Sequence, residues 1–401
     1  MGRHRARRGL VIRGAGVVLG ALVAGALVVS MQLPLLHPPS TASVATAPWS
    51  IHAAPALAWP ATGEAALAVP SLGVLMTHHD HVVPIASLTK MMTAYVTLQH
   101  LPLALGQTGP CYVVTSADVA TYGVMAHEDE SSAAVVAGES LCEVQLLEGL
   151  LIHSAGNYAV ILAEHVATSP TQFVTLMNNT AAQLGLRATH YADVSGFSSQ
   201  SVSSASDQAR LAALLMRSPV VRSIVIQSSV DLPVAGVVTT FTPFVGVGHV
   251  IGVKSGRTSA AGGCDVLAMT FREGRNVRVL YAVVLGQRGG DLLGPAGDAA
   301  LALAQSGVAN RIQHVIARGS VVAEVGWSGH RTAAVAARRA VVTWWAANGR
   351  PKFVVRWRHF THVIRRGEVV GTVRVEGVTT VRVPLVATTT VAPASLWQRL
   401  R

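Results

Sequence analysis

The chain has 401 residues, half of them apolar and 13% charged, which is too long for one small domain and too apolar for a disordered polymer. Its net charge of +11 is unevenly spread: residues 1–13 carry five arginines and no acid, residues 14–317 sum to −5, and residues 318–401 to +11. The composition therefore breaks near residue 317, and a second domain is expected beyond it.

Along the chain, residues 1–13 form a basic tail ahead of "GAGVVLGALVAGALVVSMQLPLL", residues 14–36. This uncharged run is near the ~20 residues that cross a bilayer as helix. Arginines before it place the N-terminus in the cytoplasm and the rest outside, so a cell-membrane protein with an extracytoplasmic body is expected. A cleaved signal peptide and a retained anchor both fit. The run is longer than a secretory apolar region, and Pro48 follows the nearby Ala45-Thr46-Ala47, so the anchor is favoured. Residues 37–56, rich in Pro, Ser, Thr and Ala, read as a linker.

Residues 57–317 carry an α+β pattern. "EAALAVPSLGVLMTHHDHVVPIAS" reads as two short strands and a turn that leads into a helix at Ser87. "GESLCEVQLLEGLLIHSAGNYAVILAEHVA" reads as two helices broken at "HSAGN", where Gly and Asn favour a turn. Further helices are expected in "SPTQFVTLMNNTAAQLGL", opened by Ser169-Pro170, and in "SASDQARLAALLMRS". Beyond residue 220 come strands: "GVGHVIGVKSGRT", then "CDVLAMTFREG" and "NVRVLYAVVLGQ" as a hairpin. "AGDAALALAQSGVANRIQHVI" is expected as one closing helix. Residues 318–401 read as a small, basic, antiparallel β domain. In it Val355 and Trp357 face one way and Arg356 and Arg358 the other. It holds no nucleic-acid motif, so no nucleic-acid partner is expected. Anionic wall polymers or lipid headgroups would suit its charge, as would solvation alone.

Three cysteines are present: Cys111 and Cys142 are the plausible disulfide outside the membrane, and Cys264 would stay a buried thiol. No Cys or His spacing suggests a metal, the sixteen histidines being scattered singly, and no cofactor is expected.

The chemistry concentrates in "PIASLTKMMTAYVTL". A serine hydroxyl is a poor nucleophile without a base, and a lysine serves as base only when burial or a second cation destabilises its ammonium. Lys90 follows Ser87 by one helical turn, beside an apolar face that can desolvate its amine. Lys254 in "GVKSGRT" supplies a second cation on a strand, followed by small residues that let a substrate backbone lie close. Ser154 in "HSAGN" offers a hydroxyl to pass a proton onward.

Ser-x-x-Lys, then a Ser-x-Asn-type turn, then Lys-[Thr/Ser]-Gly on a strand is the motif set of penicillin-binding proteins and serine β-lactamases. The blocks "PIASLTKMMTAYVTL", "GLLIHSAGNYAVILAEH", "FVTLMNNTAAQLGL", "DVSGF" and "VIGVKSGRTSAAGGC" resemble, in order and spacing, those of D-alanyl-D-alanine carboxypeptidases, over about residues 60–316. The resemblance implies a penicillin-binding/β-lactamase-like transpeptidase fold: an antiparallel sheet flanked by helices, a helical subdomain, and a small C-terminal β domain. It implies Ser87 as acylated nucleophile, Lys90 as its base, Ser154 as proton relay and Lys254 as electrostatic anchor. Asn157, Ser255, Gly256, Arg257, Thr258 and Arg288 would bind substrate. Ser87 and Arg257 would give backbone N–H groups to an oxyanion hole, and Arg288 would hold the terminal D-alanine carboxylate. The implied partners are the peptidoglycan stem peptide and, as covalent inhibitors, β-lactams.

Two departures stand out. Gly156 occupies the position where the family usually has Asn; either Asn157 swings in to replace that amide, or the substrate loses a hydrogen bond, at about 1–3 kcal/mol. Arg257 adds a cation that would favour acidic substrates. No E-x-x-L-N stretch follows Ser154, so fast β-lactam hydrolysis is not expected. A D,D-endopeptidase would use the same machinery, and a weakly active wall-bound scaffold is the alternative of another class.

Overall fold

The computed structural model describes residues 56–392, apart from 328–329, 346–350, 359, 361 and 377–379. The basic tail 1–13, the apolar run 14–36 and all of the 37–56 linker but its last residue lie outside the described residues. No helix among the described residues is long and apolar enough to cross a membrane. The chain divides into one unit over Ala54–Arg311 and another that takes the residues from Ile312 onward.

In the first unit, strand β1 (Glu64–Val69) and β2 (Val74–His78) join β3 (Val250–Thr258), β4 (Gly262–Glu273) and β5 (Asn276–Gln287). They form an antiparallel sheet of order β2-β1-β5-β4-β3. β1, β4 and β5 are near-continuous apolar runs because helices cover both faces of the sheet. Glu273 pairs with Asn276 across a tight turn at Gly274-Arg275, the hairpin read from the sequence.

The helices are α1 (Lys90–His100), α2 (Ser116–His127), α3 (Glu143–Leu151), α4 (Gly156–Ala167), α5 (Pro170–Gln183), α6 (Ala205–Leu215), α7 (Pro219–Val225) and α8 (Leu293–Ala309). α6 packs on β1 and β5, and α8 packs on β4 and β5. Ser169 caps α5 by accepting the Gln172 N–H at 3.2 Å, and Ser204 caps α6 through the Asp207 N–H at 3.3 Å. The helix expected over residues 296–316 stops at Ala309, and Arg311–Ile316 is a strand. Asn310 caps the helix end, and β-branched residues resume beyond it, where extended backbone suits them better.

Cys111 and Cys142 are directly opposed across a short antiparallel pair and are disulfide-bonded, while Cys264 is buried and free. Next to this bridge, Glu143 is buried at the start of α3, and neither of its carboxylate oxygens has a hydrogen-bond partner among the described residues. Burial pushes its carboxyl up to about 7. Between the ordinary carboxylate value and about 7 the folded state therefore binds more protons than the unfolded one, and stability falls as pH rises through that window. Glu143→Gln is expected to raise the melting temperature at pH 8 and to lose that advantage at pH 4.5, read by thermal denaturation at both values.

In the second unit, strands β6 (Val321–Trp327), β7 (His330–Ala336), β8 (Lys352–Trp357), β9 (Val369–Glu376) and β10 (Thr380–Ala387) pair in the order β6-β7-β10-β9-β8. Phe353, Val355 and Trp357 pack on a core containing Val373, Val375, Val383 and Leu385, while Lys352, Arg356 and Arg358 are exposed.

Candidate active site

The site begins at a single 3-10 turn, Ala86–Thr89, which α1 continues from Lys90. Ile85, just before it, donates its N–H to the Ser201 carbonyl (3.1 Å). Met91, Met92, Ala94 and Val96 are fully buried, so α1 runs through the core and carries Lys90 in with it. Only 1% of Lys90 is exposed; its Nζ donates to Ser87 Oγ at 3.1 Å and to the Ser195 carbonyl at 2.7 Å. Burial pulls this ammonium down to about 8, while the Glu130 and Asp193 carboxylates act in the opposite direction.

Ser154 lies on the turn between α3 and α4 with a positive φ of 63°, and its Oγ is buried without a hydrogen-bond partner among the described residues. From the other side β3 closes on the nucleophile turn. Gly256 comes so near that a Cβ there would sit 2.6 Å from the Ser87 amide nitrogen. Lys254 is fully buried, and its Nζ donates to the Ser255 carbonyl (2.8 Å). Its ammonium is pushed well below its usual range by burial and then by the charge of Lys90, against the pull of Asp265. Ser255 Oγ donates to the Phe241 carbonyl (2.8 Å).

These elements enclose a cavity of about 270 Å³ lined by Ser87, Ser131, Ser154, Phe241, Ser255, Gly256, Arg257, Asp291 and Leu293. Two buried lysines lie close enough to feel each other's charge, and one amine touches a serine at the cavity wall. That arrangement can deprotonate Ser87 and stabilise the anion formed on an acyl group held against β3.

Three residues expected to contact substrate are held by the protein's own groups. Asn157 is 1% exposed and its amide is taken up by Ala133: its Oδ1 accepts the Ala133 N–H (3.0 Å), and its Nδ2 donates to the Ala133 carbonyl (2.8 Å). It therefore does not replace the amide missing at Gly156; it is a clamp on the segment before α3. Asn157→Ala leaves both Ala133 groups unpaired and is expected to lower stability by about 2–4 kcal/mol, read by urea denaturation. Thr258 Oγ1 accepts the Ala261 N–H (3.0 Å) within the β3–β4 turn. Arg288 donates to the carbonyls of Ser259 (2.9 Å) and Ala260 (3.3 Å) of that same turn, because two exposed carbonyls there suit the guanidinium fork.

Four residues outside the motif set also stand at the site: Ser131 and Asp291 line the cavity, and Glu130 and Asp265 act by charge on the buried lysines. Asp265 is fully buried on β4, and burial pushes its carboxyl up to about 8 against the pull of Lys254. A charged residue inside an apolar strand run was the available signal. For Glu130 the only signal was indirect, the missing side chain at Gly156.

A family model described as D-alanyl-D-alanine carboxypeptidase matches residues 71–289, more than half of the chain. A D-alanyl-D-alanine endopeptidase of Haemophilus influenzae is 33% identical over 141 residues, covering 35% of this chain and 44% of the relative. D-alanyl-D-alanine carboxypeptidase DacA of Escherichia coli is 34% identical over 134 residues, 33% of each chain. The chain thus matches less than half the length of these curated relatives. The crystal structure of penicillin binding protein 5 from Haemophilus influenzae superimposes with a TM-score of 0.59 at 20% identity, covering 84% of this chain and 98% of that one, and so shares the fold. With the family model spanning the Ser87 turn, the Ser154 turn and β3 alike, the chain belongs to the D-alanyl-D-alanine carboxypeptidase family of serine peptidases.

Proposed function

We propose that this protein is a membrane-anchored D-alanyl-D-alanine carboxypeptidase that removes the terminal D-alanine of peptidoglycan stem pentapeptides through an acyl-enzyme on Ser87. The observation that carries this reading is the buried Lys90 Nζ, 3.1 Å from Ser87 Oγ at the wall of the cavity.

As Ser87 Oγ attacks the carbonyl carbon of the penultimate D-alanine, its proton passes to the neutral Lys90 amine. The oxyanion forms beside the backbone N–H groups of Ser87 and Arg257, and the buried Lys254 stabilises it from below. Collapse breaks the C–N bond, and Ser154 passes the proton from Lys90 to the departing amine. Water then attacks the ester, giving one proton back through Lys90 to Ser87 and releasing the shortened peptide as a carboxylate. A β-lactam acylates the same oxygen when its ring amide opens. Ser255 and Arg257, at the cavity edge, bind the peptide's terminal carboxylate.

The test is a synthetic pentapeptide ending in D-Ala-D-Ala, with released D-alanine read by mass spectrometry and a fluorescent penicillin mapped to its tryptic peptide. Release of D-alanine and an adduct on the Ser87 peptide are expected; neither appearing would overturn the reading and leave a wall-bound scaffold. The endopeptidase name of the Haemophilus relative favours a second substrate, the crosslinked stem dimer, which the same assay resolves by the relative rates on the two peptides. Anchoring rests on the uncharged run 14–36 behind five arginines. A protein beginning at residue 37 is expected to leave the membrane fraction that retains the full chain.

A further inference from the structure

Gly156 opens α4 without a side chain, and a carboxyl from elsewhere occupies the space. Glu130 follows α2, its N–H donating to the Met125 carbonyl at 2.9 Å. The next carbonyl, of Ser131, accepts the Gly156 N–H at 2.7 Å, and Asn157 clamps Ala133 through both of its amide atoms. These bonds tie segment 130–133 to the first turn of α4. A Cβ placed on Gly156 would run into Glu130 Oε1, and would lie 3.0 Å from Glu130 Cδ and 3.2 Å from Met125 Sδ. A side chain at 156 can therefore enter only if the Glu130 carboxyl moves aside.

Glu130 Oε1 is shielded from solvent and has no hydrogen-bond partner among the described residues, and the same holds for Ser154 Oγ, two residues before Gly156. Ser131, the neighbour of Glu130, lines the cavity together with Ser87 and Ser154. The charged groups that act on Glu130 are Lys90 on α1, Asp193 in the loop before Ser195, and Glu128 at the end of α2.

We propose that Glu130 is a positioning residue of the active site, its carboxyl standing where Gly156 leaves a gap and acting on Lys90 through its charge. This rests on the reading of Ser87 and Lys90 as the acylating pair.

An amide at position 156 would be neutral at every pH; a carboxyl is not. Burial drives Glu130 towards its acid form, whereas the Lys90 charge favours the carboxylate. Lys90 Nζ itself bonds to Ser87 Oγ and the Ser195 carbonyl, so Glu130 acts on it through charge rather than through a direct ion pair. A carboxylate beside Lys90 raises the amine's affinity for protons, so its removal makes Lys90 easier to deprotonate.

The experiment measures the pH dependence of acylation by fluorescent penicillin and of kcat/KM on the pentapeptide, for wild type, Glu130→Gln, Gly156→Asn and the Glu130→Gly/Gly156→Asn double variant, each checked by thermal melting. Glu130→Gln keeps shape and hydrogen-bonding reach but cannot ionise. Its acid limb is expected to move about one pH unit lower than that of wild type. Gly156→Asn alone meets the carboxyl and is expected to acylate at least tenfold more slowly, whereas the double variant recovers most of that loss. Superimposable limbs for wild type and Glu130→Gln, or a double variant no faster than Gly156→Asn, would overturn the inference while leaving Ser87 acylation intact. A wild-type protein that takes no label at Ser87 removes both the inference and the function beneath it.

Discussion

A Lys90→Met protein will keep its cavity and lose acylation of Ser87 by about 10²–10⁴-fold, the usual contribution of a positioned general base. Methionine matches the lysine stem in length and suits the buried surroundings, so the loss is chemical rather than structural. The Ser195 carbonyl, which accepts from Nζ at 2.7 Å, is left without that donor, at about 1–3 kcal/mol. Removal of a charge from a fully buried site offsets that cost. Lys90→Arg will not restore the rate, because a guanidinium stays protonated at any working pH. In wild type the rate should rise with pH through about 8, the value to which burial pulls Lys90, since only the neutral amine accepts the Ser87 proton. Stability moves in the same direction. From about 8 up to the ordinary lysine value near 10.5, the unfolded chain binds more protons than the folded one, and the fold gains stability as pH rises through that window. The checks are the rate of penicillin labelling between pH 6 and 9.5 and a near-UV spectrum of each variant. A wild-type rate that is flat with pH, or a Lys90→Met protein that labels at full rate, would remove Lys90 from the chemistry.

How far the sequence reached depends on the kind of physical signal each element carries. β4 and β5 were legible because a long apolar run, a tight turn and a second apolar run admit little except a buried hairpin. α2 left no period, because its only buried residue is Asp118, so there is no apolar stripe to show one. Its capping box, Thr115 with Asp118, was in plain view and would have found it. The Ser87–Lys90 contact was legible because both residues sit on one local turn, where spacing dictates geometry. The direction of Asn157 was not, because that depends on Ala133, 24 residues away, and on which of two backbone groups lacks a partner. The resting partners of Arg288 were hidden for a related reason. A guanidinium that fits a carboxylate also fits two carbonyls, and only the fold shows that the β3–β4 turn presents them. Glu130 lies in a loop whose place over α4 comes from backbone hydrogen bonds, and backbone bonds leave no mark on residue identity.

Gly256→Ala should leave the protein folded and slow acylation by about 10²–10³-fold, as loss of one oxyanion-hole donor does. Gly256 is not among the glycines with positive φ, so its backbone conformation accepts an L side chain without strain. What it cannot accept is the volume. The new methyl would lie 2.6 Å from the Ser87 amide nitrogen and 3.1 Å from Ser87 Cα, both backbone atoms, with Ala86 Cβ at 3.2 Å. Ordinary contact demands several tenths of an ångström more, so either β3 or the Ser87 turn must retreat. β3 is fixed by its pairing with β4, where Gly256 opposes Cys264 and Ser255 opposes Asp265. The turn is fixed by the Lys90 bonds to Ser87 and Ser195. Either movement spoils the distance between the Ser87 N–H and the developing oxyanion, and a misplacement of this size is enough to cost two orders of magnitude. The control is Gly274→Ala in the β4–β5 turn, where φ is +60° and nothing lies within 4 Å of the added methyl. It should destabilise by about 1–2 kcal/mol through the left-handed backbone alone and leave acylation unchanged. Stopped-flow labelling beside thermal melts of both variants separates the two effects. A Gly256→Ala protein that acylates as fast as wild type would mean that the Ser87 amide does not serve as the anion donor, and that the substrate carbonyl points elsewhere in the cavity.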